Sequence, residues 1–321
     1  MTGEHNHPDL TELIDGLTDT VLALTLDFVN YQADTNARLN ALENASPNPD
    51  PEPEPEPFVP AYPGQPEPGT MYWGAAIKSQ EPADLEAKYG DVGMHRLFFQ
   101  WNQVSYASGL IDKAHARGWV PWISMKTPPW AQVAAGQHDS QVDAWLNMLK
   151  GKTQPVWMTP WHEPENDLAQ GSSNDHLAMN TRIRDRMTAL NVTNVALAPI
   201  LMGWTWDPAS GRNPDDWWDE NIYDFMGVDP YEADMFSPNW DRVVDWAADR
   251  DVQLAVGEWG FGFKKIYTNQ GQRVHDWYDL GVDTKVAALT VWSVNNPGLT
   301  YELTGEQLEA YKAKLADPRT L

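Results

Sequence analysis

From residue 10 to residue 42 apolar side chains recur at alternating spacings of four and three. One series runs Leu10, Leu17, Leu24, Tyr31, Arg38 and the other Ile14, Val21, Phe28, Thr35, Leu42. Apolar positions every 3.5 residues on average form the a/d seam of a coiled coil, a stripe that needs partner helices to leave water. The pattern predicts a helix that self-associates, with a trimer slightly favoured over a dimer. A single amphipathic helix lying on the rest of the chain is the competing reading, because Tyr31, Thr35 and Arg38 weaken the later heptads.

Beyond residue 70 the pattern changes to short apolar runs separated by longer amphipathic ones. Strands are predicted at "MYWGAAI" (71 to 77), "MHRLFFQW" (94 to 101), "WVPWISMK" (119 to 126), "VWMTPWHE" (156 to 163), "NVALAPILM" (194 to 202), "FMGVDPY" (225 to 231), "VQLAVGEWG" (252 to 260) and "VAALTVWSVN" (286 to 295). Helix-like stretches such as "SGLIDKAHARG" and "QVDAWLNMLKG" lie between them, and both close on Gly. Eight strands alternating with helices over about 250 residues is the count of a (β/α)8 TIM barrel, an α/β fold whose sites lie at the C-terminal ends of its strands. A doubly wound open sheet is the structural alternative, but "MYWGAAIKSQ" lacks the Gly-rich phosphate turn expected after its first strand.

Between these regions, "SPNPDPEPEPEPFVPAYPGQPEPG" (46 to 69) alternates proline with acidic residues. Fixed φ angles and charge repulsion should extend it near polyproline II. The expected organisation is therefore a coiled-coil helix over 1 to 45, an extended linker over 46 to 69 and a barrel over 70 to 321.

Composition removes several functions. The chain has 46 acidic against 22 basic residues, a formal net charge of −24, and so repels phosphate backbones. Nucleic acid is not an expected partner. With no cysteine, disulfides and thiolate chemistry are excluded. No basic segment followed by an apolar run opens the chain and no apolar run of about 18 residues occurs, so neither a signal peptide nor membrane insertion is expected. The 17 tryptophans are unusually many, and indole faces stack on sugar rings, although large core residues should account for about half of them.

The chemistry concentrates at two strand ends. Glu163 follows "VWMTPWH" at the fourth strand, and Glu258 sits in "LAVGEWG" at the seventh. Two carboxylates at one barrel mouth are what a glycosidase needs, one to protonate the leaving oxygen and one to attack the anomeric carbon or activate water. The duller readings are a helix-capping Glu163 and an ion-paired Glu258. "HEPEN" fails as a zinc motif because Asn166 stands where the second histidine would be. An acidic patch at Asp215, Asp216, Asp219 and Glu220 reads as a solvated loop before it reads as a calcium site. No metal and no cofactor are expected.

"WHEPEN" at the fourth strand, "GVDPY" at the sixth, "VGEWG" at the seventh and "VWSVN" at the eighth resemble glycoside hydrolase family 26, retaining β-glycosidases that include endo-β-mannanases. The resemblance covers roughly residues 71 to 315, and its specific part is the His-Glu pair with the later Glu. It implies that Glu163 is the acid/base and Glu258 the nucleophile. His162 would be the histidine before the acid/base, Tyr231 the tyrosine beside the nucleophile and Trp292 the aromatic floor. By position, Trp101, Trp130, Trp161, Trp204, Trp206 and Trp259 are further sugar platforms. Two positions depart from the family: Thr159 stands where an arginine is common, and Glu165 where an asparagine is. The expected protein is a polysaccharide-cleaving endo-β-glycosidase of extracellular or virion-associated, tail-fibre-like placement. The alternative is a non-catalytic carbohydrate-binding head.

Overall fold

The computed structural model describes residues 10–45, 57–231, 235–261, 269–295 and 300–321, and the chain divides into two units, Met1–Pro57 and Phe58–Leu321. In the first, α1 (Leu10–Ala45) is one continuous helix. Its seam positions from Leu17 to Arg38 are open to water, with Leu17 68%, Leu24 64% and Phe28 61% exposed. Residues 46 to 56 of the expected linker lie outside the described residues.

The second unit holds nine parallel strands among the described residues. These are β1 (Tyr72–Ile77), β2 (Met94–Gln100), β3 (Val120–Lys126), β4 (Val156–Pro160), β5 (Val195–Leu197), β6 (Ile200–Met202), β7 (Met226–Asp229), β8 (Leu254–Trp259) and β9 (Ala288–Ser293). Their order is β5-β4-β3-β2-β1-β9-β8-β7-β6. The two ends of that order are halves of one predicted strand, interrupted at Ala198–Pro199, where proline has no N–H to give. The sheet therefore closes through the fifth strand into the (β/α)8 barrel.

Helices α2 (Pro82–Tyr89), α3 (Val104–His115), α4 (Trp130–Ala134), α5 (Asp139–Lys150), α6 (Ser173–Ala189), α7 (Pro238–Ala248), α8 (Gln270–Asp283) and α9 (Gly305–Ala313) follow the strands. Ser172 and Asp175 start α6 with a reciprocal capping box. The alternation fails once. Between β6 and β7 the chain makes only 3-10 turns, at Gly203–Trp206, Pro208–Ser210 and Pro214–Trp217, because Gly211 and two prolines interrupt any longer helix.

Apolar residues between strands and helices form the main core, and a smaller cluster of Trp122, Trp157, Ile200, Phe225 and small alanines fills the barrel. Glycine is needed where the lumen is tightest. A Cβ at Gly227 would come within 2.5 Å of Ile200 Cγ1, and one at Gly257 within 2.7 Å of Asp229 Oδ1.

The barrel unit also begins earlier than the sequence suggests, at Phe58 and not at residue 70. Tyr62 is 5% exposed, stacks on Phe225 at 5.2 Å and donates its hydroxyl to Gln253 Oε1 at 2.6 Å. Trp157 Nε1 donates to Pro63 O at 3.0 Å. Since Phe225 and Val156 lie at strand starts, this segment stoppers the mouth opposite the strand C-termini.

Candidate active site

Each proposed catalytic glutamate is delivered by a local irregularity. After β4 ends at Pro160, both Trp161 (φ 64) and Glu163 (φ 50) adopt left-handed backbone, which costs a non-glycine residue roughly 1–2 kcal/mol. Backbone hydrogen bonds hold the kinked exit, Trp161 N to Met125 O at 3.0 Å and Glu163 N to Ile200 O at 2.8 Å. On β8 the register with β9 slips between Val256 and Trp259, three steps against two. A bulge of this kind re-aims side chains. Gly257 faces Ile200 and Trp122 in the lumen, while Glu258 joins the charged groups at the mouth.

Those groups centre on Arg96 of β2, which is fully buried. Its Nη2 donates to Ser124 Oγ at 2.7 Å and Nη1 to Trp122 O at 3.3 Å, and its guanidinium lies 4.3 Å from the Phe98 ring centre. The charges of Glu258, Asp229 and Glu163 face it. Thr159 Oγ1 accepts from Trp122 Nε1 at 3.0 Å.

Burial pushes Glu258 up to about 8, opposed by Arg96, and reinforced by Glu163. Tyr231 donates its hydroxyl to Glu258 Oε2 at 3.3 Å. Glu163 is also raised by burial, while the Asn166 amide and Asp229, both within hydrogen-bonding reach of its carboxyl, pull it down. Asp229, fully buried and flanked by Glu258 and Glu163, is held well above the carboxylate range. Neither of its oxygens receives an N–H or O–H. A proton shared between Asp229 and Glu163 satisfies both observations. Because Glu163 raises Glu258, the two titrate as one coupled pair.

His162 packs edge-on against Phe98 at 5.3 Å, and Trp292 does so at 5.2 Å. Burial, with Arg96 and Lys126 nearby, holds the imidazole well below its usual range, hence neutral at pH 7. A hollow of about 330 Å³ opens beside them, lined by Gln80, Phe98, Gln103, Lys126 and His162 among others. Lys126 pairs with Asp167 at 2.8 Å and lies 4.2 Å from the Trp161 ring centre.

The tryptophans need correction. Thirteen of the 17 are buried, more than the expected half. Trp130 and Trp259 are 0% exposed, and Trp161 and Trp206 only 7% and 6%, so none offers a face to a sugar. Trp259 stacks on Trp73 at 5.4 Å, and Trp130 meets Trp161 edge-on at 5.8 Å. Trp101, Trp204 and Trp292 keep exposed surface. Sequence reasoning did not single out Arg96, Asp229, Phe98 or Arg212. A charge inside the apolar run "MHRLFFQW" and a carboxylate before proline in "GVDPY" were the available signals. Among the described residues no group of three or more His, Asp or Glu is arranged to hold a metal ion. Asp215, from the acidic loop, instead pairs with Arg250 at 2.7 Å and accepts from Trp246 Nε1 at 2.8 Å.

No protein-family profile matches the sequence, and no curated protein matches it. Solved structures do match. GH26C from Muricauda sp. superposes with a TM-score of 0.57 at 14% identity, over 78% of this chain and 87% of that one. The GH26 β-mannanase BoMan26A from Bacteroides ovatus gives 0.55 at 16% identity, over 79% and 90%. Thermotoga maritima Cel5A in complex with mannotriose gives 0.52 at 11%, over 76% and 98%. At these identities the likeness is one of fold: the chain shares the (β/α)8 barrel of these glycoside hydrolases.

Proposed function

We propose that the protein is a retaining endo-β-glycosidase of polysaccharides, β-mannanase-like in its reaction. The observation that carries this reading is the pair Glu163 and Glu258, each brought to one barrel mouth by a backbone irregularity and coupled there around Arg96. A Glu258 oxygen attacks the anomeric carbon while Glu163 gives its proton to the departing glycosidic oxygen. Glu163 then takes a proton from water as the water displaces Glu258, freeing the sugar and restoring both carboxyls. Tyr231 orients the nucleophile, His162 and Trp292 border the sugar around Phe98, and Trp101 and Trp204 are platforms further along the cleft. No cofactor enters these steps.

A panel of polysaccharides assayed for new reducing ends tests the reading. One or more should be shortened by the wild-type chain, and Glu258→Ala should lower the rate by at least about a thousandfold, the order of nucleophile removal in hydrolases. Retention of a glycan without shortening would make the protein a carbohydrate-binding head, and unchanged activity in Glu258→Ala would remove the nucleophile assignment. The exposed seam of α1 supports self-association through residues 10 to 42, with a trimer the expected state. A glycan-cleaving barrel joined to such a helix suits an extracellular or virion-associated, tail-fibre-like enzyme.

A further inference from the structure

We infer that Asn166 and Arg212 are positioning residues that fix the rotamer of the Glu163 carboxyl. The inference rests on the reading of Glu163 as the acid/base. Asn166 is exposed at the mouth, and its Nδ2 donates to Glu163 Oε2 at 3.3 Å. Its Oδ1 accepts from Arg212 Nη2 at 2.8 Å. Nδ2 also lies 2.8 Å from Met202 Sδ, and the backbone N–H of Asn166 returns to Glu163 O at 3.1 Å.

The order of these contacts sets their direction. A guanidinium can only donate, so it compels the amide to turn its oxygen toward Arg212 and its NH2 toward Glu163. A flipped amide would place Oδ1 against a carboxylate oxygen and break two contacts together. With Oε2 held by Asn166, the carboxyl plane of Glu163 is fixed at the mouth. The arrangement also accounts for the second departure from the family pattern, because the amide comes one residue later than usual while Glu165 is turned away and buried. Arg212 is supplied by the connection between β6 and β7, which makes only 3-10 turns, and Ser210 Oγ accepts its backbone N–H at 3.0 Å.

The test separates acid positioning from general damage by the leaving group. Phenyl and 2,4-dinitrophenyl β-glycosides of the sugar selected by the reducing-end assay would be compared for the wild type, Glu163→Ala, Asn166→Ala, Arg212→Ala and the bulk-retaining Arg212→Met. A 2,4-dinitrophenolate departs without protonation and a phenolate does not. Glu163→Ala should therefore lose far more on the phenyl glycoside. In kcat/KM, which reports formation of the glycosyl enzyme and not the later water step, Asn166→Ala and both Arg212 variants should follow it, losing on the order of tenfold or more on the phenyl glycoside and little on the dinitrophenyl one, as expected for a misplaced general acid. Equal losses on both substrates, or none, in variants that keep the wild-type circular dichroism would overturn the positioning role while leaving Glu163 in place. If Glu163→Ala itself shows no leaving-group dependence, the acid/base assignment falls, and the inference with it.

Discussion

Glu165 stands two residues beyond the proposed acid, 4% exposed, with Oε1 accepting from Met202 N at 2.6 Å and from Thr205 Oγ1 at 2.8 Å. Oε2 has no partner. Burial raises it to about 7, the hydrogen bonds opposing and Glu163 adding to the rise. In the unfolded chain the group ionises near 4.5, so between there and about 7 the folded state holds a proton that the unfolded state has lost. Its contribution to stability is full below the unfolded value and is lost as pH rises through the folded one. Glu165→Gln keeps the two acceptances and cannot ionise. Urea unfolding at pH 5 and pH 8 should show the variant losing about 3 kcal/mol less than the wild type over that interval. An unchanged pH dependence would mean that Glu165 is charged when folded. Legibility at this scale depended on chain position. Glu163, Glu258, Tyr231 and His162 sit where a barrel strand ends, and that periodicity places them. Arg96 lies inside β2, where a sequence pattern gives no reason to expect a charge; its meaning comes from three carboxylates contributed by β4, β7 and β8.

Most strand boundaries predicted from apolar runs fall within two residues of those observed, because parallel barrel strands are buried on both faces and read as continuous apolar stretches. What escaped was geometry inside the elements. The bulge in "LAVGEW" is an extra residue of pairing with no compositional mark except Gly257. The tryptophans misled because strand-end indoles pack outward between strands and helices as readily as they line a cleft. The proline-rich segment escaped because Tyr62 looks like any linker residue until Phe225 and Trp157 are beside it. Tyr62→Ala should therefore destabilise the barrel by about 3 kcal/mol, as large aromatic truncations do, and Tyr62→Phe by about 1 kcal/mol for the lost hydrogen bond to Gln253. Denaturant midpoints would measure both. kcat should stay unchanged in native buffer, since Tyr62 lies at the mouth opposite Glu163. A loss of kcat with stability intact would contradict that placement.

At the scale of the whole molecule, two demands act on the same chain. A net charge of −24 keeps copies apart, whereas α1 presents Leu17, Val21, Leu24, Phe28 and Tyr31 to water along one seam. Association through that seam must outweigh the repulsion. Burying one leucine contributes about 2 kcal/mol, and each partner helix repeats it, so a few seam residues per chain suffice against charges screened beyond about 10 Å at 0.1 M salt. Dissociation should thus appear first at low ionic strength, where screening is weakest. In the full chain, Leu17→Ser with Leu24→Ser removes the two best d positions and leaves every barrel residue unchanged. Sedimentation equilibrium should give a whole multiple of 36.2 kDa for the wild type, three chains by expectation, and 36.2 kDa for the variant. Turnover of a short soluble oligosaccharide should be equal in the two, because each barrel carries its own pair of glutamates. Cleavage of a surface-bound polysaccharide should fall in the variant, since linked barrels that hold neighbouring strands raise one another's effective concentration. A wild type that sediments at 36.2 kDa at 0.15 M salt would remove the seam as an interface and return α1 to the single amphipathic helix.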